Sequence, residues 1–156
     1  MFDAILIATD LSDTSERALD TALQLARAHG SALHLVHVIR DPATEPWAVD
    51  AFGVDFDALL EHVHSRAQRE VTARVERLTL PGGKRARVLV GAPAAEILRY
   101  AKAIGADLIV VGSHGRRSIQ QVFLGSVADR VLHEASCPVL VVRPAACAQL
   151  AVDDAA

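Results

Sequence analysis

The chain has 156 residues, which is enough for about one domain with a buried core. Its formal net charge of −3 argues against a strongly basic surface, so we expect neither a nucleic acid nor a membrane as a partner. Hydrophobic residues make up 51% of the chain but aromatic residues only 4%, which predicts a core of Ala, Val, Leu and Ile. No apolar run approaches the ~20 residues of a membrane span, and no basic segment precedes the first apolar stretch, so we expect a cytoplasmic protein.

Short apolar runs alternate along the chain with longer stretches of helical periodicity. The runs that we expect to form strands are residues 4–8, 32–39, 86–90, 108–111 and 139–142. Three of them consist almost entirely of Val, Ile and Leu, a composition typical of parallel strands that are covered on both faces.

Four helices are predicted between these strands. The first begins at Asp13, with Glu16 as its capping partner, and ends at Gly30. The other three are expected at residues 56–78, 93–104 and 124–135. This alternation predicts a single-domain, doubly wound α/β fold, in which a parallel five-stranded sheet has helices on both faces.

The rest of the chain shows no further domain. Residues 40–55 contain two prolines and a glycine without clear periodicity, and we expect them to form a long loop. With no internal repeat and no linker, one domain is expected over residues 1–144. The Ala-rich and acidic residues 145–156 are expected to form a frayed tail.

A glycine-rich segment, VVGSHGRRSIQQVFLGS, begins in the fourth predicted strand. Its first two glycines, Gly112 and Gly115, would let the backbone turn sharply and present amide groups with no Cβ in the way. Gly125 and Ser126 stand where the last helix is expected to begin. A helix N-terminus attracts phosphate through its positive partial charge and its unpaired N–H groups. The segment therefore predicts a phosphate-binding loop.

The spacing of the glycines alone leaves a plainer interpretation open. In that interpretation the glycines only form turns, and Ser126 is the N-cap of the last helix. Arg116 and Arg117 would add cations to a phosphate site, but the segment is not a Walker P-loop, because no Gly-Lys-Ser/Thr follows four spacer residues. It also does not follow the first strand, as a dinucleotide-binding fingerprint would.

The glycine pattern is part of a resemblance that covers nearly the whole chain. Gly112, two residues, Gly115, nine residues and then Gly125-Ser126 matches the ATP-binding pattern of the universal stress protein family. The match continues in AILIATDLSDTSERAL, VLVGAPAAEIL, LIVVGSHGR, FLGSVADRVL and SCPVLVV. The sequence therefore resembles an ATP-binding universal stress protein, and the resemblance implies the strand order 3-2-1-4-5.

The resemblance also implies where ATP, with Mg²⁺, would bind. The acidic residue of the first loop, here Asp10, lies near the nucleotide, where it would hold ribose hydroxyls or a magnesium-bound water unless it is only a turn residue. The end of the second strand contacts adenine, and the glycine segment surrounds the ribose and phosphates. One departure is Ala8, where many members have proline. The implied binding residues are Thr9, Asp10, Val38, Gly91, Val111, Gly112, Ser113, His114, Gly115, Arg116, Gly125, Ser126 and Val127.

Three functions remain open at this point. The first is an ATP-binding stress-response protein that binds or signals without efficient catalysis, because no activated nucleophile or paired carboxylates can be assigned near the glycine segment. The second is a slow ATPase or phosphotransferase that uses Asp10, magnesium and the arginines. The third is a family member that binds no nucleotide and acts through protein contacts.

Two further expectations concern assembly and metals. The last strand has the sequence PVLVV and is an edge in the implied order, so we expect a homodimer in which two such strands pair antiparallel. The resemblance points to the same dimer. His34 and His37 lie three apart on a strand and therefore on opposite faces, which argues against a shared metal ion.

Overall fold

The computed structural model describes residues 2–113 and 124–143, and its centre is one parallel β-sheet. The strands are β1 (Ala4–Thr9), β2 (Ala32–Ile39), β3 (Lys84–Val90), β4 (Leu108–Gly112) and β5 (Val139–Val142). Their order across the sheet is β3-β2-β1-β4-β5, and every neighbouring pair runs parallel. The doubly wound fold and the strand order expected from the sequence are confirmed.

The helices divide between the two faces of the sheet. They are α1 (Asp13–His29), α2 (Phe56–Glu76), α3 (Pro93–Ile104) and α4 (Ser126–Glu134). The helices α1 and α2 pack on one face, where fully buried residues such as Ile7 and Leu35 project, and α3 and α4 pack on the other, where Leu6 and Ile109 project. Alternation along each strand sends neighbouring side chains into opposite layers, so the central strands are apolar at nearly every position.

Small apolar residues on the helices allow close packing against the sheet. Alanines of α1 and α3 lie in the two core clusters, which agrees with a core that contains few aromatic rings. Over the described residues, no helix combines the length and the apolar character that crossing a bilayer would require.

Several local details differ from the sequence-based expectation. The N-cap of α1 is Ser12, whose side chain accepts a hydrogen bond from the Ser15 amide; Asp13 is already the first helical residue. A cap must keep an extended backbone, as Ser12 does with φ −90° and ψ 164°, so Asp13 as the cap was wrong. Glu16 pairs instead with Arg74 of α2, with Nε and Oε1 2.6 Å apart.

The segment expected as a loop, residues 40–55, contains two short 3₁₀-helices, Pro42–Thr44 and Pro46–Asp50. Each has a proline at its start, which suits the fixed φ of that residue. The expected tail, residues 145–156, lies outside the described part of the chain.

Candidate functional site

The strand order reverses between β1 and β4, so the carboxyl ends of these two strands are the place where a ligand-binding crevice is expected in this fold. β1 and β4 pair in parallel, with Ala8 opposite Val111. The chain leaves β1 toward α1 on one face of the sheet and leaves β4 toward α4 on the other face. Because these connections diverge, this is the topological switch point of the sheet, and open α/β sheets bind ligands at such a point.

The turn from β1 to α1 is held by short polar side chains. Thr9 Oγ1 accepts a hydrogen bond from the Leu11 amide at 3.0 Å and lies 2.9 Å from Ser15 Oγ. Ser15 Oγ donates to the Ser12 carbonyl at 2.8 Å, so the Thr9 hydroxyl donates in its contact with Ser15. Leu11 has φ 65°, a left-handed conformation that a residue with a Cβ keeps only when its surroundings hold it there. The conformation of this turn is therefore strongly determined.

Asp10 lies inside this turn and is partly buried. Its Oδ1 accepts hydrogen bonds from the Ser12 amide at 3.1 Å and from the Ser12 hydroxyl at 2.5 Å. These hydrogen bonds agree with the interpretation of Asp10 as a turn residue. The carboxylate nevertheless sits at the carboxyl end of β1, where the sequence placed it near a ligand.

One backbone hydrogen bond holds the start of α4 beside the end of β4, and a second joins the end of β4 to β5. The Ser113 carbonyl accepts from the Gly125 amide at 2.7 Å, and the Ser113 amide donates to the Val142 carbonyl at 2.8 Å. Ser113 is fully buried. Gly112 was expected just beyond the fourth strand, but it is the last residue of β4. The two described ends of the glycine segment, at Ser113 and Gly125, therefore meet beside the end of β4.

The N-terminus of α4 presents backbone donors at this place that have no acceptor within the helix. Gly125 is the N-cap, with extended φ and ψ of −65° and 149°, and as a glycine it supplies no side-chain cap. The interpretation of Ser126 as the N-cap is therefore wrong: it is the first helical residue, and its side chain is exposed. The first turn leaves the amides of Ser126, Val127 and Ala128 without intrahelical acceptors. Val127 is half-buried against the cluster between α3, α4 and the sheet.

Val111, Val38 and Gly91 lie at or just beyond the carboxyl ends of β4, β2 and β3, which stand in this order across the sheet away from β4. Val111 is buried, and Val38 is partly buried on the same face of the sheet. Gly91 has φ 141°, which only glycine adopts without strain, and its amide donates to the Ile39 carbonyl at 2.9 Å. It follows β3, three strands from β4, which is about 14 Å at the usual strand spacing. Gly91 therefore lies at the far rim of the crevice.

The remaining expected site residues, His114, Gly115 and Arg116, lie outside the described part of the chain. Within the described residues, 2–113 and 124–143, no group of three or more His, Cys, Asp or Glu side chains could hold a metal ion.

The two strand histidines face opposite layers, as expected. His34 Nδ1 lies 3.2 Å from the Tyr100 hydroxyl of α3, and burial, aided by the charge of Arg85, lowers the pKa of His34. His37 Nδ1 lies 2.8 Å from the Thr9 carbonyl on the other side. The sequence reasoning missed this second contact. The feature of the sequence that could have indicated this contact is a histidine near the end of β2, at the level of the end of β1.

Comparison with known proteins gives a consistent family match. The model of the "Universal stress protein family" matches residues 1–143. A Thermus aquaticus protein named "Universal stress protein in QAH/OAS sulfhydrylase 3'region" is 41% identical over 145 residues, covering 92% of this chain and all of that one.

Solved structures are similar over the same extent. Universal stress protein UspA from Lactobacillus plantarum is 29% identical with a TM-score of 0.77, covering 90% of this chain and 97% of that one. A universal stress protein in complex with cAMP is 28% identical with a TM-score of 0.65, over 90% of this chain and 97% of that one. Sequence and fold therefore agree over nearly the whole chain.

Proposed function

Because the chain belongs to the universal stress protein family, we propose that the crevice between β1 and β4 binds an adenine nucleotide, namely ATP with Mg²⁺, and that the protein acts in the stress response by binding and signalling. The similar structure with cAMP supports a ligand that combines adenine with phosphate. The crevice lies where ligands bind in this class of fold.

The observation that carries the proposal is the position of the α4 N-terminus. The hydrogen bond between the Ser113 carbonyl and the Gly125 amide holds this helix end against β4. Because the Gly125 amide is used in that bond, the phosphate donors are the next amides, beginning with Ser126, together with the exposed Ser126 hydroxyl. The partial positive charge of the helix end adds to these hydrogen bonds.

The residues of the crevice fit a magnesium ion that arrives with the nucleotide. Mg²⁺ usually keeps several waters and binds through one or two carboxylates plus substrate phosphates. In this proposal Asp10 would supply a carboxylate oxygen, directly or through a bound water. The ion would neutralise phosphate charge next to that carboxylate, which would otherwise repel the ligand.

Binding without efficient turnover follows from the kind of groups present. Backbone amides and a hydroxyl stabilise phosphates in the ground state, whereas catalysis requires groups that act mainly on the transition state. The described part of the crevice offers Asp10 as a carboxylate but no activated nucleophile beside it.

Calorimetric titration with AMP, ATP and ATP plus Mg²⁺ tests the proposal. Ser126→Ala should weaken binding by about 1–3 kcal/mol, the range for a hydrogen bond to a charged group. Ser136→Ala makes the same chemical change on an exposed serine just beyond the other end of α4 and should leave the affinity unchanged. Absence of nucleotide binding in the wild type would overturn the proposal. ADP release at the ~1–100 s⁻¹ of kinases would replace it with the enzyme interpretation.

We further propose that the protein is a homodimer joined through β5, because the two edges of the sheet differ. On β3, Gln68 Oε1 of α2 accepts a hydrogen bond from the Val88 amide at 3.1 Å, and Lys84, Arg85 and Arg87 are exposed. A capped amide and charged side chains oppose pairing with another strand. On β5 all residues are apolar and only partly buried, so this edge suits a second copy of the chain.

Val141→Pro tests the dimer with little effect on the sheet itself. The carbonyls of Pro138 and Val142 accept hydrogen bonds from β4, so alternation turns the Val141 amide away from β4. Proline removes that outward donor without removing a ladder bond. We expect the wild type to sediment as a dimer and Val141→Pro as a folded monomer. A monomeric wild type at micromolar concentration, or a folded variant that stays dimeric, would contradict the proposed interface.

A further inference from the structure

The contact between His37 and the Thr9 carbonyl joins two strands at the rim of the crevice. Thr9 and His37 are register partners at the ends of β1 and β2, and His37 Nδ1 lies 2.8 Å from the Thr9 oxygen. A carbonyl oxygen can only accept, so Nδ1 carries the proton in this contact. In the neutral ring, Nε2 is then the unprotonated nitrogen.

The same carbonyl also belongs to the strand ladder. The Ala32 amide donates to the Asp3 carbonyl, and parallel pairing repeats this relation every second residue. When this pattern is continued to the end of the strands, the Thr9 carbonyl is the acceptor that faces the Val38 amide. Two donors from β2 thus converge on one oxygen, one from the backbone of Val38 and one from the ring of His37.

Fixing this carbonyl fixes the start of the turn that carries Asp10. The Thr9–Asp10 peptide is planar and trans, so its N–H points opposite to its C=O. Because the carbonyl points to β2, the Asp10 amide points toward β4 and the crevice. The strained φ of Leu11 means that the turn beyond Asp10 depends on such restraints.

We propose that His37 is a positioning residue of the nucleotide site. Its ring holds the Thr9–Asp10 peptide in the orientation that directs Asp10 into the crevice, and it does so without touching the ligand. This inference rests on the proposed nucleotide binding and adds a residue to it.

The test compares affinity with stability in three variants. His37→Ala removes the donor, whereas His37→Asn restores an amide nitrogen close to the position of Nδ1. His34→Ala removes another partly buried histidine of β2, whose side chain contacts Tyr100 on the opposite face. Calorimetry with ATP plus Mg²⁺ gives the affinity, and thermal melting gives the stability.

We expect His37→Ala to raise the dissociation constant about five- to tenfold, the effect of losing one hydrogen bond in the site. His37→Asn should stay within about twofold of the wild type, and His34→Ala should lose stability without losing affinity. In the wild type, ¹⁵N NMR of the ring nitrogens should show Nδ1 as the protonated nitrogen of the neutral ring.

Two results would overturn the inference while leaving nucleotide binding intact. One is a His37→Ala protein that melts earlier but binds ATP as the wild type does, which makes the residue structural only. The other is equal loss of affinity in His37→Ala and His37→Asn, which means that the donor is not what matters. If His37→Ala does not fold, two other measurements decide the question. Wild-type affinity in His37→Asn together with a protonated Nδ1 in the wild type supports the inference, and failure of either contradicts it. A wild type that binds no nucleotide contradicts the proposed function itself.

Discussion

Ser126→Asp should strengthen the fold and weaken nucleotide binding at the same time. Ser126 is the first residue of α4 and its side chain is exposed, so an aspartate fits there without repacking. A carboxylate at a helix N-terminus stabilises by about 0.3–1 kcal/mol. In a chain of this length that corresponds to a rise of roughly 1–4 °C in melting temperature.

The effect on binding has the opposite sign and is larger. A phosphate bound at the same helix end would lie about 4–5 Å from the new carboxylate, and two unit charges at 4 Å repel by about 1 kcal/mol in water and about 4 kcal/mol near a protein surface. The dissociation constant should therefore rise at least about fivefold, and more at low salt, because salt screens the repulsion.

The assay pairs calorimetric titration with thermal melting at two salt concentrations. Ser136→Asp adds the same charge just beyond the opposite end of α4 and should leave the affinity unchanged, which controls for net charge. Wild-type affinity in a stable Ser126→Asp protein would refute the assignment of phosphate to this helix end. A lower melting temperature would contradict the dipole argument.

Two further predictions concern stability. A Cβ on Gly82 would collide with the backbone of Gly30 and Ser31, whereas one on Gly83 would meet nothing within 4 Å. In chemical denaturation, Gly82→Ala should therefore lower the free energy of unfolding by about 1–3 kcal/mol, and Gly83→Ala, which is strained only through its φ of 89°, should lower it less. Equal losses would contradict the steric account. Because burial and Arg85 lower the pKa of His34, folding favours its neutral form. The resulting stability is present above about pH 6.5 and is lost as the pH falls through the lowered pKa of the folded state. The melting temperature of the wild type should therefore drop more on acidification than that of His34→Gln. Parallel pH profiles of the two proteins would contradict this.

The sequence predicts the elements of this fold well because their signals are local. Runs of Val, Ile and Leu identify the strands to within a residue or two, and β3 begins earlier than expected because an edge strand tolerates charged residues such as Lys84. The cap of α1 was misplaced by one residue, since capping depends on backbone angles that the residue type does not determine. The 3₁₀-helices of residues 40–55 are too short to produce a periodic pattern.

The candidate site is harder to predict because its geometry depends on long-range register. The bond between His37 and the Thr9 carbonyl, and the one between Ser113 and Gly125, arise only once strands and helices are aligned. The residue types at the crevice could be inferred from the resemblance, but their contacts could not. The roles assigned to His114, Gly115 and Arg116 remain predictions.

The way the helices begin gives a physical reason for phosphate to bind at α4. On one face of the sheet, α1 and α2 are capped by Ser12 and Asp55, and both carry acidic residues in the first turn. On the other face, neither α3 nor α4 has a side-chain cap. In α3, however, Pro93 occupies the first helical position and lacks an amide proton. α4 begins instead with Ser126, which has its amide proton, and its first-turn acidic residue, Asp129, stands at the same fourth helical position as Glu96 in α3. Among the helices of the described residues, α4 is therefore the one that begins with neither a side-chain cap nor a proline, and it begins beside the crevice.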